Sequence, residues 1–297
     1  MSERKTAHDF HPETLRLFDR YVHGDISRRE FLTGTAKFAV AGVTALSILE
    51  ALTPNYALGQ QVKPDDNALS ASFVEFPSPQ GNGTVRAYLV KPANATGSLP
   101  VVLVVHENRG LNPHIEDVAR RFAKAGFIAL APDALFTLGG YPGDEDKARE
   151  LFGKLDPSKT RQDFVQSVAY LQQLEGGNGK VGVVGFCYGG GIANFLATEV
   201  PTLAAAVPFY GRQGELEKVA QIKAPLLIHY ASNDERVNVG AKAYDDALKA
   251  AGKAAQSYVY PDTQHGFHND TTPRFDKAAA ELAWQRTVAF FQKHLKG

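Results

Sequence analysis

Two rhythms of apolar and polar residues run along most of this chain. "SFVEF" (72–76) and "VRAYLV" (85–90) alternate residue by residue, the period of a strand with one buried face. "SPQGNG" between them carries the proline and glycines of a turn, so the two strands predict an antiparallel hairpin. "PVVLVVH" (100–106), "FIALAP" (127–132), "KVGVVGF" (180–186), "LAAAVPFY" (203–210) and "APLLIHY" (224–230) are continuous apolar runs. Strands covered on both faces read this way. "AQSYVY" (255–260) predicts the last strand. Helical spacing fills the gaps. Residues 113–125 open on proline and stop before Gly126, and Phe164, Val168 and Leu171 mark one face of 158–175. Trp284, Val288, Phe291 and Leu295 form a stripe near the C-terminus that predicts core contacts. Strands alternating with helices predict an α/β fold, a mostly parallel central sheet with helices on both faces. No linker composition interrupts residues 61–297, which are expected to form one domain. The glycine-rich loop "FTLGGYPGDED" (136–146) follows a strand's carboxyl end, where open α/β sheets bind ligands. Its Tyr141 is a candidate substrate contact.

Residues 1–60 follow a different pattern. "SRREFL" (27–32) precedes an alanine- and glycine-rich apolar stretch, and Ala57-Leu58-Gly59 supplies small residues for a cleavage site. This order is similar to a twin-arginine export signal and predicts a periplasmic or otherwise exported enzyme. The alternative is a cytoplasmic protein with a structural N-terminal extension. Its apolar stripe, including Phe31, Phe38, Leu46 and Leu49, would then pack on the body or on a second subunit. Lys37 and Glu50 interrupt the apolar run, so stable membrane insertion of the mature protein is not expected.

Composition narrows the class. Of 297 residues 44% are hydrophobic and 22% charged, as in globular proteins. Acidic and basic residues number 32 each, so no overall field favours nucleic acid. The one cysteine, Cys187, excludes an internal disulfide or CxxC metal site.

That cysteine stands in "VVGFCYGGGIANF", with glycines at 185 and 189–191, between a predicted strand and a predicted helix. G-x-C-x-G in this context is a nucleophile elbow, a turn so tight that its flanking positions admit only glycine. The thiol would sit at a helix N-terminus, whose partial positive charge favours thiolate. Two further residue types follow in the nucleophile–acid–histidine order of α/β-hydrolases: Asp234 after the 224–230 strand and His265 after the last strand. Imidazole would take the thiol proton and the carboxylate would orient the imidazole. Asp262 and Glu235 are rival acids and His268 a rival base. "HENRG" follows the 100–106 strand, where backbone N–H groups of Asn108 and of Tyr188 would form an oxyanion hole. Glu107 is unusual there, because a carboxylate beside a thiol suppresses its ionisation. "HGFH" lacks a wider ligand cluster, so no metal and no cofactor are expected.

Together, "GFCYGG", the Asp234 loop, "HGF" and "HENRG" resemble the dienelactone hydrolase family of α/β-hydrolases. The resemblance implies metal-free hydrolysis of a lactone or ester through a cysteine acyl-enzyme, with Cys187 nucleophile, His265 base and Asp234 acid. It implies that Glu107 contacts the resting thiol and moves when substrate binds. The chain departs from the family where two arginines hold the substrate carboxylate: "APDALFTLGG" has none, and Asn269 stands four places after His265. Neutral or aryl esters are therefore expected to be better substrates than dienelactone; Arg109, Arg212 and Arg274 are either anion contacts reached from elsewhere or, the better reading for each taken singly, ordinary surface or ion-pair residues. The expected partner is a small ester or lactone, with homo-oligomerisation left open. The competing reading is a catalytically silent α/β-hydrolase scaffold that binds a small ligand or protein partner, marked by a Cys187 buried away from His265.

Overall fold

The computed structural model describes residues 5–39 and 43–296. Each predicted strand forms. β1 (Leu69–Ser78) and β2 (Gly83–Pro92) make the hairpin, with Ser78 opposite Gly83. They are followed by β3 (Leu99–Val105), β4 (Ile128–Pro132), β5 (Gly177–Phe186), β6 (Ala205–Phe209), β7 (Leu226–Asn233) and β8 (Ala255–Gln264). One eight-stranded sheet has the order β1-β2-β4-β3-β5-β6-β7-β8. It is antiparallel at β1–β2 and β2–β4 and parallel from β4 onward.

Helices cover both faces. In chain order they are α1 (Pro12–His23), α2 (Arg28–Thr35), α3 (Ala45–Leu52), α4 (Tyr56–Gly59), α5 (Pro113–Lys124), α6 (Glu145–Phe152), α7 (Pro157–Gln172), α8 (Tyr188–Glu199), α9 (Glu235–Asn238), α10 (Ala241–Ala250) and α11 (Lys277–Leu295). The pleat divides the core. Val101, Leu103 and Val105 of β3 join Phe164, Val168, Leu196 and Tyr244 of α7, α8 and α10 on one face. Val102 and Val104 join Ile115, Val118, Phe122 and Phe291 of α5 and α11 on the other. Strands feeding both layers must be apolar throughout, which is why these runs showed no alternation.

The N-terminal helices make a small core of their own, with Leu15, Phe18, Tyr21, Ile26, Phe31, Ile48, Leu49 and Leu52 buried together. This modifies the expected apolar stripe. Phe31 and Leu49 belong to that core, Phe38 packs at its edge, and Leu46 is 45% exposed. Short helices fold back on one another, so their apolar face is satisfied locally. Attachment to the hydrolase body is largely polar. Tyr56 donates to Glu145 (2.5 Å), Arg149 donates to the Tyr21 carbonyl (2.8 Å), and Arg28 pairs with Asp146 (2.8 Å). Arg121 donates to the Gly59 carbonyl (2.8 Å). Gly59, the end of the small-residue stretch expected as a cleavage site, is buried against Asp270 and Thr271. No helix among the described residues is long and apolar enough to cross a membrane.

Candidate active site

β5 ends at Phe186 and α8 begins at Tyr188, leaving Cys187 alone in the turn at φ 56°, ψ −111°. A non-glycine residue in that conformation is strained and persists only where its surroundings force it. The glycines show what forces it. A Cβ on Gly185 would lie 1.8 Å from the Gly189 carbonyl oxygen, and one on Gly189 would lie 2.3 Å from the carbonyl oxygen of Val105. Strand, turn and helix therefore interlock through bare backbone, with the sulfur at the N-terminus of α8, a favourable end for negative charge.

Asp234 and His265 converge on this turn from the ends of β7 and β8. His265 Nδ1 donates to Asp234 Oδ2 at 2.6 Å, and the other carboxylate oxygen accepts the Val237 N–H at 3.3 Å as the cap of α9. Both residues are buried, and His265 has the Cys187 thiol as its other hydrogen-bonding neighbour. Sγ of Cys187 and a ring nitrogen of each of His265 and His23 lie within 4.8 Å of one another. The rivals are placed elsewhere. Asp262 and Glu235 are exposed, and His268 stacks on Phe186 at 5.1 Å. Burial holds His268 down to about 3, with Arg121 adding to the effect, so its ring stays neutral.

Charge and burial compete at the thiol. Burial pushes Cys187 up, but the charges of His265 and His23 outweigh it and bring the thiol to about 5. Burial pulls His265 down, while Asp234 and Cys187 raise it to about 10. The combination favours a thiolate–imidazolium pair near neutrality.

His23 was not anticipated from the sequence. It ends α1, and its Nε2 lies 3.4 Å from the Cys187 sulfur. Its ring meets His265 edge-on at 4.8 Å. The one available signal, an Asp19–His23 pair four apart in a helix, says nothing about which surface that helix will meet. Arg236 was missed for the same reason: it reaches His23 Nε2 at 2.8 Å and His265 Nδ1 at 3.4 Å.

The remaining candidates divide. Asn108 lines the site, and Tyr188 is the first residue of α8, where an N–H has no partner within the helix. Glu107 lines the same space, but its carboxylate accepts from Asn269 Nδ2 at 2.9 Å, and the hydrogen bond to the thiol is made by His23. Asn269, standing where the family resemblance places an arginine, thus tethers Glu107. Arg109 and Tyr141 serve chiefly to hold the N-terminal segment. Arg109 donates to the Val22 carbonyl (3.1 Å) and pairs with Glu145 (3.4 Å), while Tyr141 bonds Glu145 (2.7 Å) and Tyr56 (3.3 Å). Arg274 pairs with Asp19 (3.7 Å) and covers the Phe18 ring. Arg212 alone among the expected anion contacts lines the larger cavity beside the thiol, and it is exposed.

Cys187, His23 and Asn108 border two cavities, of about 160 Å³ and about 790 Å³. The smaller is walled by α1 and the Glu107–Arg109 loop. The larger combines Phe152, Ile192, Phe195 and Leu216 with Arg161, Arg212 and Arg236. A thiolate and two imidazoles are donors that a soft divalent ion accepts. Here the Arg236 guanidinium already sits against His23, so an added cation would meet a fixed positive charge.

The sheet, the strained elbow and the residues at the ends of β7 and β8 define an α/β-hydrolase. The profile of the Dienelactone hydrolase family matches residues 85–295, and the chain belongs to that family. A YqhI-like profile matches residues 1–40. The chain is 32% identical to a protein of Escherichia coli K12 provisionally named carboxymethylenebutenolidase, over 78% of this chain and 90% of the relative. It is 60% identical to a provisional hydrolase fragment, YghX, of the same organism, over 39% of this chain and 99% of the fragment. A provisionally assigned dienelactone hydrolase structure from Klebsiella pneumoniae superposes with a TM-score of 0.69 at 30% identity, covering 76% of this chain and all of the other.

Proposed function

We propose that this hydrolase cleaves a small ester or lactone through a cysteinyl acyl-enzyme, with Cys187, His265 and Asp234 as its triad. The observation that carries the reading is the strained Cys187 facing a histidine that a buried carboxylate holds at 2.6 Å. In this reading the thiolate attacks the carbonyl carbon. The developing oxyanion is met by the backbone N–H groups of Asn108 and Tyr188. His265 gives its Nε2 proton to the departing alkoxide as the C–O bond breaks, leaving a thioester and the free alcohol. Water then cleaves the thioester and restores the thiolate.

Substrate choice follows from how the arginines are used. Arg109 and Arg274 already face Glu145 and Asp19, so neither is available as an unopposed anion clamp. A missing charge-assisted hydrogen bond removes roughly 1.5–3 kcal/mol of binding. Neutral and aryl esters are accordingly the preferred class. A higher kcat/KM on dienelactone than on a neutral ester would redirect attention to Arg212.

The test of the nucleophile is Cys187→Ala and Cys187→Ser on a panel of aryl esters, lactones and dienelactone. Alanine abolishes turnover with the fold retained, and serine is poor, because a site suited to thiolate does not ionise a hydroxyl. Wild-type kcat/KM in the alanine variant would sink the mechanism. We further propose that residues 5–59 are a retained part of the enzyme rather than a discarded leader. Their separate core and their polar attachment to the body support the structural reading of the twin-arginine segment.

A further inference from the structure

The mechanism above uses one of two histidines that reach the thiol. The other, His23, lies outside the residues matched by the family profile, which begins at residue 85. Asp19 and His23 share a face of α1, being one helical turn apart. His23 Nδ1 lies 2.7 Å from the Asp19 carbonyl oxygen and 3.3 Å from its carboxylate, so Nδ1 carries the proton and donates. Nε2 accepts from Arg236 at 2.8 Å and lies 3.4 Å from Sγ. Burial opposes protonation of His23, but in the resting enzyme the Cys187 charge and the Asp19 hydrogen bond raise it. Acylation removes that charge, and the neutral ring, its proton on Nδ1, then turns a lone pair toward the site, the form a general base requires. Asp19 is held by Arg236 (3.6 Å) and Arg274 (3.7 Å). Its acidity is strengthened despite burial, chiefly by the hydrogen bond with His23, so it remains a carboxylate. Asp19–His23 thus repeats Asp234–His265 on a second side of one sulfur. Position matters as much as chemistry. His23, with Cys187 and Asn108, is common to the walls of the two cavities beside the sulfur.

We propose that His23 is a second catalytic base, supplied by the N-terminal segment, and that it serves deacylation. The inference rests on Cys187 being the nucleophile. After acylation, His265 has given its proton to the departing alcohol and is neutral. A water molecule attacks the thioester carbon and passes one proton to His23 Nε2 as the C–O bond forms. The C–S bond then breaks, its electron pair stays on sulfur, and the carboxylic acid departs. His23 returns its proton to His265, whose ring lies 4.8 Å away, restoring the thiolate–imidazolium pair.

The experiment is pre-steady-state hydrolysis of a p-nitrophenyl ester by the full-length chain, comparing wild type with His23→Gln, His23→Ala, Asp19→Asn and Cys187→Ala. In His23→Gln the acylation burst stays within about threefold of wild type, while steady-state turnover falls on the order of 100-fold, the usual reach of a general base. The acyl adduct on Cys187 then accumulates and is seen by intact-protein mass spectrometry. Added imidazole restores turnover to His23→Ala, and Asp19→Asn falls between wild type and His23→Gln. If His23→Ala does not fold, His23→Gln with a wild-type circular dichroism spectrum carries the test. Wild-type or faster turnover in a folded His23 variant, without adduct, makes His23 only a covering contact and overturns the proposal. Equal loss of burst and turnover overturns the assignment to deacylation. An active Cys187→Ala would instead refute the nucleophile itself, a failure separable from that of His23.

Discussion

Alkylation of Cys187 by iodoacetamide should have a pH profile unlike that of an ordinary thiol. The two histidines carry the thiol from 9.0 to about 5 against the effect of burial. At pH 6 such a thiol is roughly 90% ionised, whereas an ordinary one is about 0.1% ionised. Lower basicity weakens the nucleophile, and a Brønsted slope of ~0.4–0.5 across that interval removes roughly 40- to 100-fold. The intrinsic rate at pH 6 should then exceed that of an exposed thiol by about tenfold, and at pH 9 should fall below it by roughly 20- to 50-fold. Cys187 is only 8% exposed, which slows both arms alike, so the shape is the diagnostic. Rates should be nearly flat from about pH 6.5 to 9 and fall as pH drops through about 5, because protonation removes the thiolate. His265→Gln should move the midpoint upward, since it deletes the foremost charge holding the thiol down. The assay is the second-order alkylation rate across pH, with thiolate absorbance near 240 nm as a second readout. A wild-type midpoint at or above about 8 would refute the electrostatic argument.

Three other outcomes are expected. Gly185→Ala places a Cβ 1.8 Å from the Gly189 carbonyl oxygen and should destabilise by about 3 kcal/mol, the upper end of the usual cost of overpacking, read as a lower denaturant midpoint; an unchanged midpoint would disprove the close approach. Glu107→Gln removes a negative charge from the smaller cavity and should lower the midpoint of the Cys187 alkylation profile below about 5 with little change near neutral pH, where the thiol is already ionised, while an unchanged midpoint would limit Glu107 to its hydrogen bond with Asn269. The intact mass of the protein from its native host should show residues 5–59 still attached; an active mature chain beginning near Gln60 would favour the export reading and remove His23 from the catalytic site.

Local chemistry was legible in the sequence. The apolar runs named the strands, because a parallel strand buried on both faces has little room for polar side chains. G-x-C-x-G named the elbow, because the turn excludes every Cβ at its flanks, and Asp234 and His265 followed in chain order at strand ends. Choosing between Asp234 and its rivals required the packed sheet. Periodicity places a residue on a face of its own element and is silent about the element opposite. The 2.6 Å approach of Asp234 to His265, the burial of His268 against Phe186 and the tether from Asn269 to Glu107 all depend on contacts between distant segments. The N-terminal helices show the division most clearly. Their small apolar residues read first as an export signal, with a helical extension as the alternative, since both are short apolar stretches beside basic residues. Only tertiary packing decided that their apolar face closes on itself, leaving polar contacts to seat α1 over the sheet and bring His23 within 3.4 Å of a sulfur 164 residues away.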